Sequence, residues 1–287
     1  MARHTGPRRE PVNLLLPGTL AEALELLADH PEAVPIAGGT DLCVHWPLRL
    51  DRSDRTWLDL SALDELRRHR WTDGELVLGA GATYWEVMRD PRVRSELPLL
   101  ADAARQVGSV QIQSRGTWAG NIVNGSPAAD GVAVLMAYDA VVQLSSVSGV
   151  EEIPLCDFYL GYKQMRRRSE QLVTAILVPR RRYRFEWFEK VGSRAAQAIT
   201  KVGVAVTRRS DEWRIVANSV APAVCRCPAM EAFVADGRPA ASPEDLLPVL
   251  RQDVAPIDDM RSTAAYREQV LARLLYFGLR DECPSFS

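Results

Sequence analysis

The amino-acid sequence predicts an α+β fold, and three observations favour this fold class. Apolar runs typical of strands alternate with segments of helical periodicity, without forming consistent βαβ units. With 287 residues, the chain exceeds the usual size of one compact core. Its hydrophobic content of 47% and charged content of 25% are those of an ordinary globular protein. We therefore expect more than one α+β unit.

The N-terminal part predicts a tail followed by a small subdomain. Residues 1–12 are basic, contain proline and lack periodicity, so we expect a mobile tail there. Thr19 is placed to cap a helix that has Glu22 at its third position. The elements expected within the first subdomain, 13–60, are a helix over 19–28 and short strands over 33–36 and 56–60.

The middle of the chain predicts a larger subdomain over 61–179. Its last strand ends at Pro179, which lacks the N–H that a sheet ladder needs. The expected helices lie over 84–88, 99–107 and 132–138, and the expected strands lie over 75–78, 140–144 and 172–178, with a hairpin turn over 145–149.

A C-terminal domain is expected over 180–287, beginning with a run of arginines. Two apolar-rich segments are followed by three segments of helical character. The expected strands lie over 198–207 and 213–220, and the expected helices lie over 227–234, 242–250 and 264–279.

Composition excludes several classes of function. The formal net charge of -2 argues against a nucleic-acid binder, which normally shows a clustered basic excess. Five scattered cysteines do not form a disulfide framework. We expect no membrane span and no secretory signal, because no apolar stretch has the required length. The sequence therefore predicts a cytoplasmic protein.

No metal site is expected. Cys225 and Cys227 are separated by one residue, whereas zinc and iron–sulfur sites usually use Cys-x-x-Cys runs and four ligands. The histidines show no ligand spacing with these cysteines; they are His4, His30, His45 and His69.

Two short apolar segments lead into glycine-containing turns that lie about eighty residues apart. Glycine lets backbone amides approach a ligand closely, and clustered amides form a concavity for anions. A single turn of this kind is more often an ordinary turn, but two turns in one domain indicate a diphosphate held from two sides. The first turn contains Ala37, Gly38, Gly39, Thr40 and Asp41, and the second contains Thr117, Gly120 and Asn121, followed by Ser126 and Asp130.

A third glycine segment has a structural interpretation. Gly79 and Gly81 follow a predicted strand and precede a predicted helix, as in a dinucleotide-binding fingerprint. However, Tyr84 occupies the third glycine position, and no acidic residue ends a second strand about twenty residues later. We therefore expect a strand–turn–helix without a ligand.

The two motifs, in this order and spacing, resemble those of the FAD-binding subunit of the molybdenum hydroxylases, the family that includes the medium chains of carbon monoxide dehydrogenase and xanthine dehydrogenase. The resemblance covers the chain from about residue 14 to about residue 279. It is also carried by Phe188-Glu189-Lys190-Val191-Gly192-Ser193-Arg194 with Ala198-Ile199, by Val220-Ala221-Pro222, and by Asp258-Asp259-Met260-Arg261 with Ala265-Tyr266-Arg267. It implies two α+β subdomains that clasp FAD, in a fold of the vanillyl-alcohol-oxidase (PCMH) type, and a C-terminal α/β domain like that of carbon monoxide dehydrogenase flavoproteins.

The resemblance implies which residues bind FAD. The residues named above in the two turns match positions that hold the cofactor, and Asp130 matches an acidic residue that contacts its hydroxyl-rich part. A helix N-cap is the alternative role for Asp130. The family usually has two adjacent glycines in the second turn, where this chain has Ala119 and Gly120 after Trp118. The methyl group of Ala119 narrows the expected approach of the phosphates.

Lys190 is one of only three lysines in the chain and lies within the run from Phe188 to Arg194, the third motif of the resemblance. A cation near the isoalloxazine ring stabilises the negative charge of a reduced flavin, and we expect Lys190 in this role. The alternative is a surface lysine at a strand end. Arg194 is expected to support the same edge or to pair with a carboxylate. No histidine or cysteine lies in either glycine turn, so we expect non-covalent FAD.

In this family, a large subunit oxidises the substrate at a molybdopterin centre, and electrons pass through two [2Fe-2S] clusters of a small subunit to FAD. The resemblance implies that this chain is the FAD-binding subunit of such a complex and reduces an external acceptor such as NAD, a quinone or oxygen. The chain has no ferredoxin-like cysteine run, so the clusters must come from a partner. Two alternatives stay open: a stand-alone FAD-dependent oxidase or dehydrogenase of a biosynthetic pathway, and a scaffold that no longer holds FAD.

Overall fold

The structure is a computed structural model that describes residues 13–45 and 55–286, so the tail expected over 1–12 lies outside the described residues. The described chain contains three sheets and a small β hairpin, with helices packed around them. This mixture of separate sheets and helices confirms the α+β prediction. No helix of these two stretches is long and apolar enough to cross a membrane.

The N-terminal elements form a three-stranded parallel sheet in the order β1-β3-β2. The Oγ1 atom of Thr19 caps the first helix by accepting a hydrogen bond from the amide of Glu22 at 3.2 Å, as predicted. The elements are β1 (Asn13–Leu15), α1 (Leu20–Asp29), β2 (Val34–Ile36), α2 (Thr40–His45) and β3 (Thr56–Asp59).

The middle region is built on a five-stranded antiparallel sheet in the order β4-β5-β10-β6-β7. Its helices are α3 (Asp64–Arg67), α4 (Tyr84–Arg89), α5 (Pro91–Glu96), α6 (Pro98–Gln106), α7 (Val110–Gln113), α8 (Trp118–Asn124), α9 (Asp130–Ala137) and α10 (Leu155–Phe158). Its strands are β4 (His69–Trp71), β5 (Glu75–Gly79), β6 (Val141–Ser146), β7 (Gly149–Pro154), β8 (Tyr159–Gly161), β9 (Gln164–Met165) and β10 (Leu172–Pro179).

The C-terminal region is a four-stranded antiparallel sheet followed by helices. Its strands are β11 (Phe185–Val191), β12 (Val202–Arg209), β13 (Glu212–Asn218) and β14 (Cys225–Arg226). Its helices are α11 (Pro228–Ala235), a 3₁₀ helix (Pro243–Leu246), α12 (Leu247–Asp253) and α13 (Ala264–Leu279).

Several predicted bounds in this region were wrong. The strand expected over 198–207 begins only at Val202, because the carbonyls of Ala198 and Thr200 accept hydrogen bonds from the side chains of Lys190 and Ser219 and not from a neighbouring strand. The helix expected over 242–250 is a 3₁₀ turn followed by α12. The edge strand β11 was not predicted.

The C-terminal sheet is buried on both faces. On β12, Val204 and Val206 enter a hydrophobic cluster with α11, α12 and α13, while Ala205 between them enters the larger cluster of the N-terminal and middle regions. On β13, Ile215 enters the first of these clusters and Val216 enters the second. Because neighbouring residues of a strand point to opposite faces, one sheet closes both cores.

The helix α9 lies against this sheet, and all of its residues are buried. Its C-terminal end is bonded to the C-terminal region. The hydroxyl of Tyr138 donates to Glu186 at 2.6 Å, and that of Thr207 donates to the carbonyl of Ala137 at 2.8 Å. Asp139 accepts from Arg181 at 2.6 Å and from Arg214 at 2.7 Å.

We predict that Asp139→Asn lowers the free energy of unfolding by about 1–2 kcal/mol, because two half-buried arginines lose their shared carboxylate. Asp139 has a left-handed φ of 56°, which asparagine tolerates, so the substitution removes charge without adding backbone strain. Urea denaturation measures the change. Asp29→Asn, at an exposed helix end, is the control, and equal effects of the two substitutions would contradict the prediction.

Candidate functional site

The first glycine motif connects β2 to α2. Ala37, Gly38 and Gly39 form the turn, and Gly39 has a φ of +71°, a conformation that favours glycine. Thr40 and Asp41 begin α2, which the sequence did not predict. Within the described part of the chain, the backbone amides of the four consecutive residues from Gly38 to Asp41 have no hydrogen-bond partner. Such free amides at the start of a helix attract anions.

The second glycine motif is largely helical. Thr117 caps α8, and its Oγ1 atom accepts from the amide of Gly120 at 2.9 Å. Asn121 lies within α8, which ends at Asn124 and has Gly125 as its C-cap. Ser126 follows in a turn, where its Oγ atom accepts from the amide of Ala128 at 3.2 Å. Thr117 and Ser126 therefore shape the backbone of this motif.

The two motifs touch each other. A Cβ atom added to Gly38 would lie 1.9 Å from the carbonyl oxygen of Arg115, so only glycine fits. The guanidinium of Arg115 in turn donates to the carbonyl of Gly38 at 3.4 Å. The Nδ2 atom of Asn124 donates to Asp41 at 3.1 Å, which joins the end of α8 to the start of α2. The structure therefore brings together residues that lie about eighty positions apart.

Tyr84 packs against Gly116 and Gly131, on either side of the second motif, and the sequence analysis did not identify it as a site residue. One edge of its ring faces Gly116, while its hydroxyl lies 2.9 Å from the position of a Cβ atom added to Gly131. The Oδ1 atom of Asn121 lies at the same distance from that position. Neither polar atom has a partner among the described residues, although both are buried. Burial, and then the charge of Asp130, raise the pKa of Tyr84, so its hydroxyl stays a donor.

The departures from the family pattern lie in the hydrophobic core. The side chains of Trp118 and Ala119 are buried, and the Trp118 ring packs against Tyr84 with centroids 4.7 Å apart. The Ala119 methyl group therefore packs in the core. Its expected effect on the approach of phosphates has no basis in this structure.

Lys190 is buried in an ion pair. Its Nζ atom lies 2.7 Å from Asp130, 3.0 Å from the carbonyl of Gln106 and 3.2 Å from the carbonyl of Ala198. The side chains of Lys190 and Asp130 are only 8% and 7% exposed, so the surface-lysine alternative is wrong. The pair lies between the C-terminal end of α6 and the N-terminal end of α9, where the two helix dipoles favour a cation and an anion, respectively.

Asp130 has two further partners from the C-terminal region. Its Oδ1 atom accepts from Thr200 at 2.6 Å and from Asn218 at 3.0 Å. Asp130 is the first residue of α9, and Ala129 occupies the N-cap position, so the N-cap alternative is wrong. No local sequence pattern points to Thr200 or Asn218, because both contacts join segments that lie far apart along the chain.

The carboxylate pairing expected for Arg194 is wrong, and its support of the flavin edge stays a prediction. Its guanidinium donates to the carbonyl of Gln197 at 2.6 Å and closes the loop that follows β11. Within the described chain it pairs with no carboxylate. Arg194 therefore supports its own loop.

The third glycine segment has a packing role. A Cβ atom on Gly79 would lie 2.3 Å from the carbonyl oxygen of Leu66, so this glycine allows β5 to approach α3. Cys225 and Cys227 lie around the start of α11, and no group of three or more metal-ligating side chains occurs within 13–45 and 55–286.

Comparisons with known proteins agree with the motifs. A family model described as the FAD binding domain in molybdopterin dehydrogenase matches residues 10–181, and one described as the CO dehydrogenase flavoprotein C-terminal domain matches residues 187–281. The putative xanthine dehydrogenase FAD-binding subunit of Escherichia coli strain K12 is 31% identical over 259 residues, which cover 87% of this chain and 88% of that protein. The nicotinate dehydrogenase FAD-subunit of Eubacterium barkeri is 30% identical, with coverages of 88% and 90%.

Solved structures show the same fold. A chain of carbon monoxide dehydrogenase from Hydrogenophaga pseudoflava superposes with a TM-score of 0.82 at 26% identity, over 92% of this chain and 94% of that chain. Together these similarities confirm the family resemblance and the fold that it implies.

We predict that Lys190→Met lowers the free energy of unfolding by about 3–5 kcal/mol, because it leaves a buried carboxylate without its cation. The double variant Lys190→Met with Asp130→Asn should recover part of this loss, since no uncompensated charge remains. Denaturation of both single variants and the double variant measures the coupling. Additive losses would show that the two side chains are not energetically coupled.

Proposed function

This chain belongs to the family of FAD-binding subunits of molybdopterin-containing dehydrogenases, and from this premise we propose that it binds FAD non-covalently within a hydroxylase complex. In this proposal a large molybdopterin subunit oxidises the substrate, and a small subunit with [2Fe-2S] clusters delivers electrons to this chain. The chain then reduces an external acceptor, which is NAD, a quinone or oxygen. We place the complex in the cytoplasm.

The observation that carries this proposal is the contact between the two glycine motifs. It places the unpaired amides that run from Gly38 to Asp41 beside the turn at Gly116, where a diphosphate can accept hydrogen bonds from them. The buried, unpartnered hydroxyl of Tyr84 and amide oxygen of Asn121 both face Gly131 at the start of α9 and fit a polar group of a ligand. These unpaired donors and acceptors support the proposal that FAD binds here. The residues proposed to hold it are Ala37, Gly38, Gly39, Thr40, Asp41, Thr117, Gly120, Asn121, Ser126, Asp130 and Lys190.

Asp130 and Lys190 differ in how many hydrogen-bonding sites they still have free for a ligand. A carboxylate has about four lone-pair sites, and three protein donors already use Asp130, so one site is left for a hydroxyl group. The three N–H donors of Lys190 match its three acceptors, so Lys190 acts on a ligand through its charge. When bound, FAD supplies the electron transfer itself, while the protein sets its potential.

The proposal of a complex rests on the relatives. They are named as FAD-binding subunits and medium chains of dehydrogenases, which favours a subunit over a stand-alone flavoprotein. The test is an absorbance spectrum of the natively purified chain together with size exclusion after co-expression with candidate partners. Acid-released flavin that comigrates with iron–sulfur and molybdenum subunits supports the proposal. Stoichiometric flavin on a chain that never associates favours the stand-alone enzyme, and a chain that fails to bind added FAD contradicts every flavin function.

We predict that Gly38→Val raises the Kd for FAD by at least about 100-fold, or about 3 kcal/mol, because its side chain separates the two motifs. Gly74→Val is the matched control, since a Cβ atom at Gly74 meets nothing within 4 Å. Fluorescence titration measures the Kd, and circular dichroism confirms folding. Stoichiometric flavin in a folded Gly38→Val variant would refute the proposed diphosphate site.

We predict that Lys190→Met lowers the two-electron potential of the flavin by ~30 mV or more, because the charge of Asp130 is then uncompensated. Asp130→Asn should raise the potential for the opposite reason. Potentiometric titration of the flavin-loaded protein measures both shifts. Lys201→Met is the control, since the ammonium of Lys201 makes no hydrogen bond with described residues. Shifts of the same sign for the two variants would show that the pair does not act on the flavin through charge.

A further inference from the structure

Arg267 is a buried arginine far along the chain from the glycine motifs. It lies in the first turn of α13, is 4% exposed, and donates to the carboxylate of Asp259 at 2.7 Å. Its Nη1 atom donates to the carbonyl of Ser219 at 2.5 Å and to the carbonyl of Lys201 at 3.2 Å. A buried guanidinium is tolerated only when it is paired in this way, and its planar fork holds several acceptors at fixed positions.

The two carbonyls bonded by Arg267 belong to the loops that hold Asp130. Lys201 directly follows Thr200, and Ser219 directly follows Asn218; Thr200 and Asn218 both donate to Asp130. The guanidinium therefore fixes the backbone one residue beyond each side chain that bonds this carboxylate.

Ser219 connects this network directly to the second glycine motif. Its φ of 64° is left-handed, a conformation that serine rarely adopts, so surrounding bonds must hold it. Its amide donates to the carbonyl of Pro127 at 2.7 Å, and its hydroxyl donates to the carbonyl of Thr200 at 2.8 Å. With the bond from Arg267 to its carbonyl, every hydrogen-bonding group of Ser219 is engaged.

We propose that Arg267, held by Asp259, is a positioning residue for segment 127–130 and thereby for the proposed flavin site. It touches no part of the proposed diphosphate or isoalloxazine site, and acts by fixing Ser219 and Thr200. The inference about the flavin rests on the proposed function, whereas the inference about the segment does not.

A purely structural role in the C-terminal core is the competing explanation. In that case, loss of Arg267 lowers the melting temperature but leaves segment 127–130 unchanged while the protein is folded. A positioning role requires that this segment loosen under conditions where the rest of the chain stays protected. Hydrogen exchange of backbone amides separates the two explanations, because it reports each segment individually.

The experiment compares Arg267→Met and Arg267→Lys with the control Arg273→Met. Arg273 is an exposed residue of the same helix, and its side chain makes no hydrogen bond or ion pair with described residues. Hydrogen exchange is measured on flavin-free full-length protein in peptides that cover 126–131 and 217–220. The Kd for FAD is measured by fluorescence titration. Lysine keeps the charge but lacks the fork that holds the carbonyls and Asp259 together, so it should rescue little.

We expect both Arg267 variants to speed exchange in the two peptides and to raise the Kd for FAD about tenfold, while Arg273→Met changes neither. Wild-type exchange in 126–131 for a folded Arg267→Met variant overturns the proposal, and so does faster exchange with an unchanged Kd. If Arg267→Met does not fold, Ser219→Ala removes the bond to Thr200 alone and is judged by the same criteria. If wild-type protein binds no FAD, the proposed function fails, and exchange in 126–131 alone decides the positioning role.

Discussion

The buried carboxylate of Asp130 at the start of α9 imposes the strongest constraint on this structure. An ionised carboxylate that is 7% exposed must be compensated by donors, and three side chains of the C-terminal region supply them. Those side chains can reach Asp130 only if the C-terminal sheet packs directly on α9. The opposite end of α9 is tied to the same region through Asp139. One short helix is thereby fixed at both ends, and the position of the second glycine motif follows from it.

The same constraint explains why the C-terminal sheet is apolar on both faces. Ala205 and Val216 pack toward α9, while Val204 and Ile215 pack toward α11, α12 and α13. A sheet with only one covered face would show alternating polar residues. The C-terminal sheet thus packs directly on the helix that begins with Asp130. The run from Phe188 to Arg194 belongs to this sheet, and its Lys190 bonds the carboxylate that follows the second glycine motif.

Local patterns predicted the parts of the fold that depend on local interactions. The helical periodicity over 264–279 coincides with α13, and Thr19 caps α1 as its position predicts. The start of the strand expected over 198–207 was wrong because tertiary contacts decided it: the carbonyls of Ala198 and Thr200 accept from the side chains of Lys190 and Ser219 instead of from a neighbouring strand. Apolar periodicity carries no information about such distant partners.

In the candidate site too, local sequence patterns predicted some features, while tertiary contacts decided the others. Glycine content located both turns, and the structure adds that Gly38 touches Arg115. Tyr84 entered the sequence analysis only as an argument against a dinucleotide fingerprint, yet its ring lies between Gly116 and Gly131. Ion pairing between Asp130 and Lys190 could not be read from a separation of sixty positions, because charged residues are common and their partners depend on the fold.

The two glycine motifs are proposed to bind FAD jointly. This joint binding is tested by hydrogen exchange of the flavin-free chain, measured before and after saturation with FAD. We expect one FAD per chain and slower exchange in both 37–42 and 117–131, with little change in α11, α12 and α13. Protection of only one motif, or saturable binding that protects neither, would contradict it.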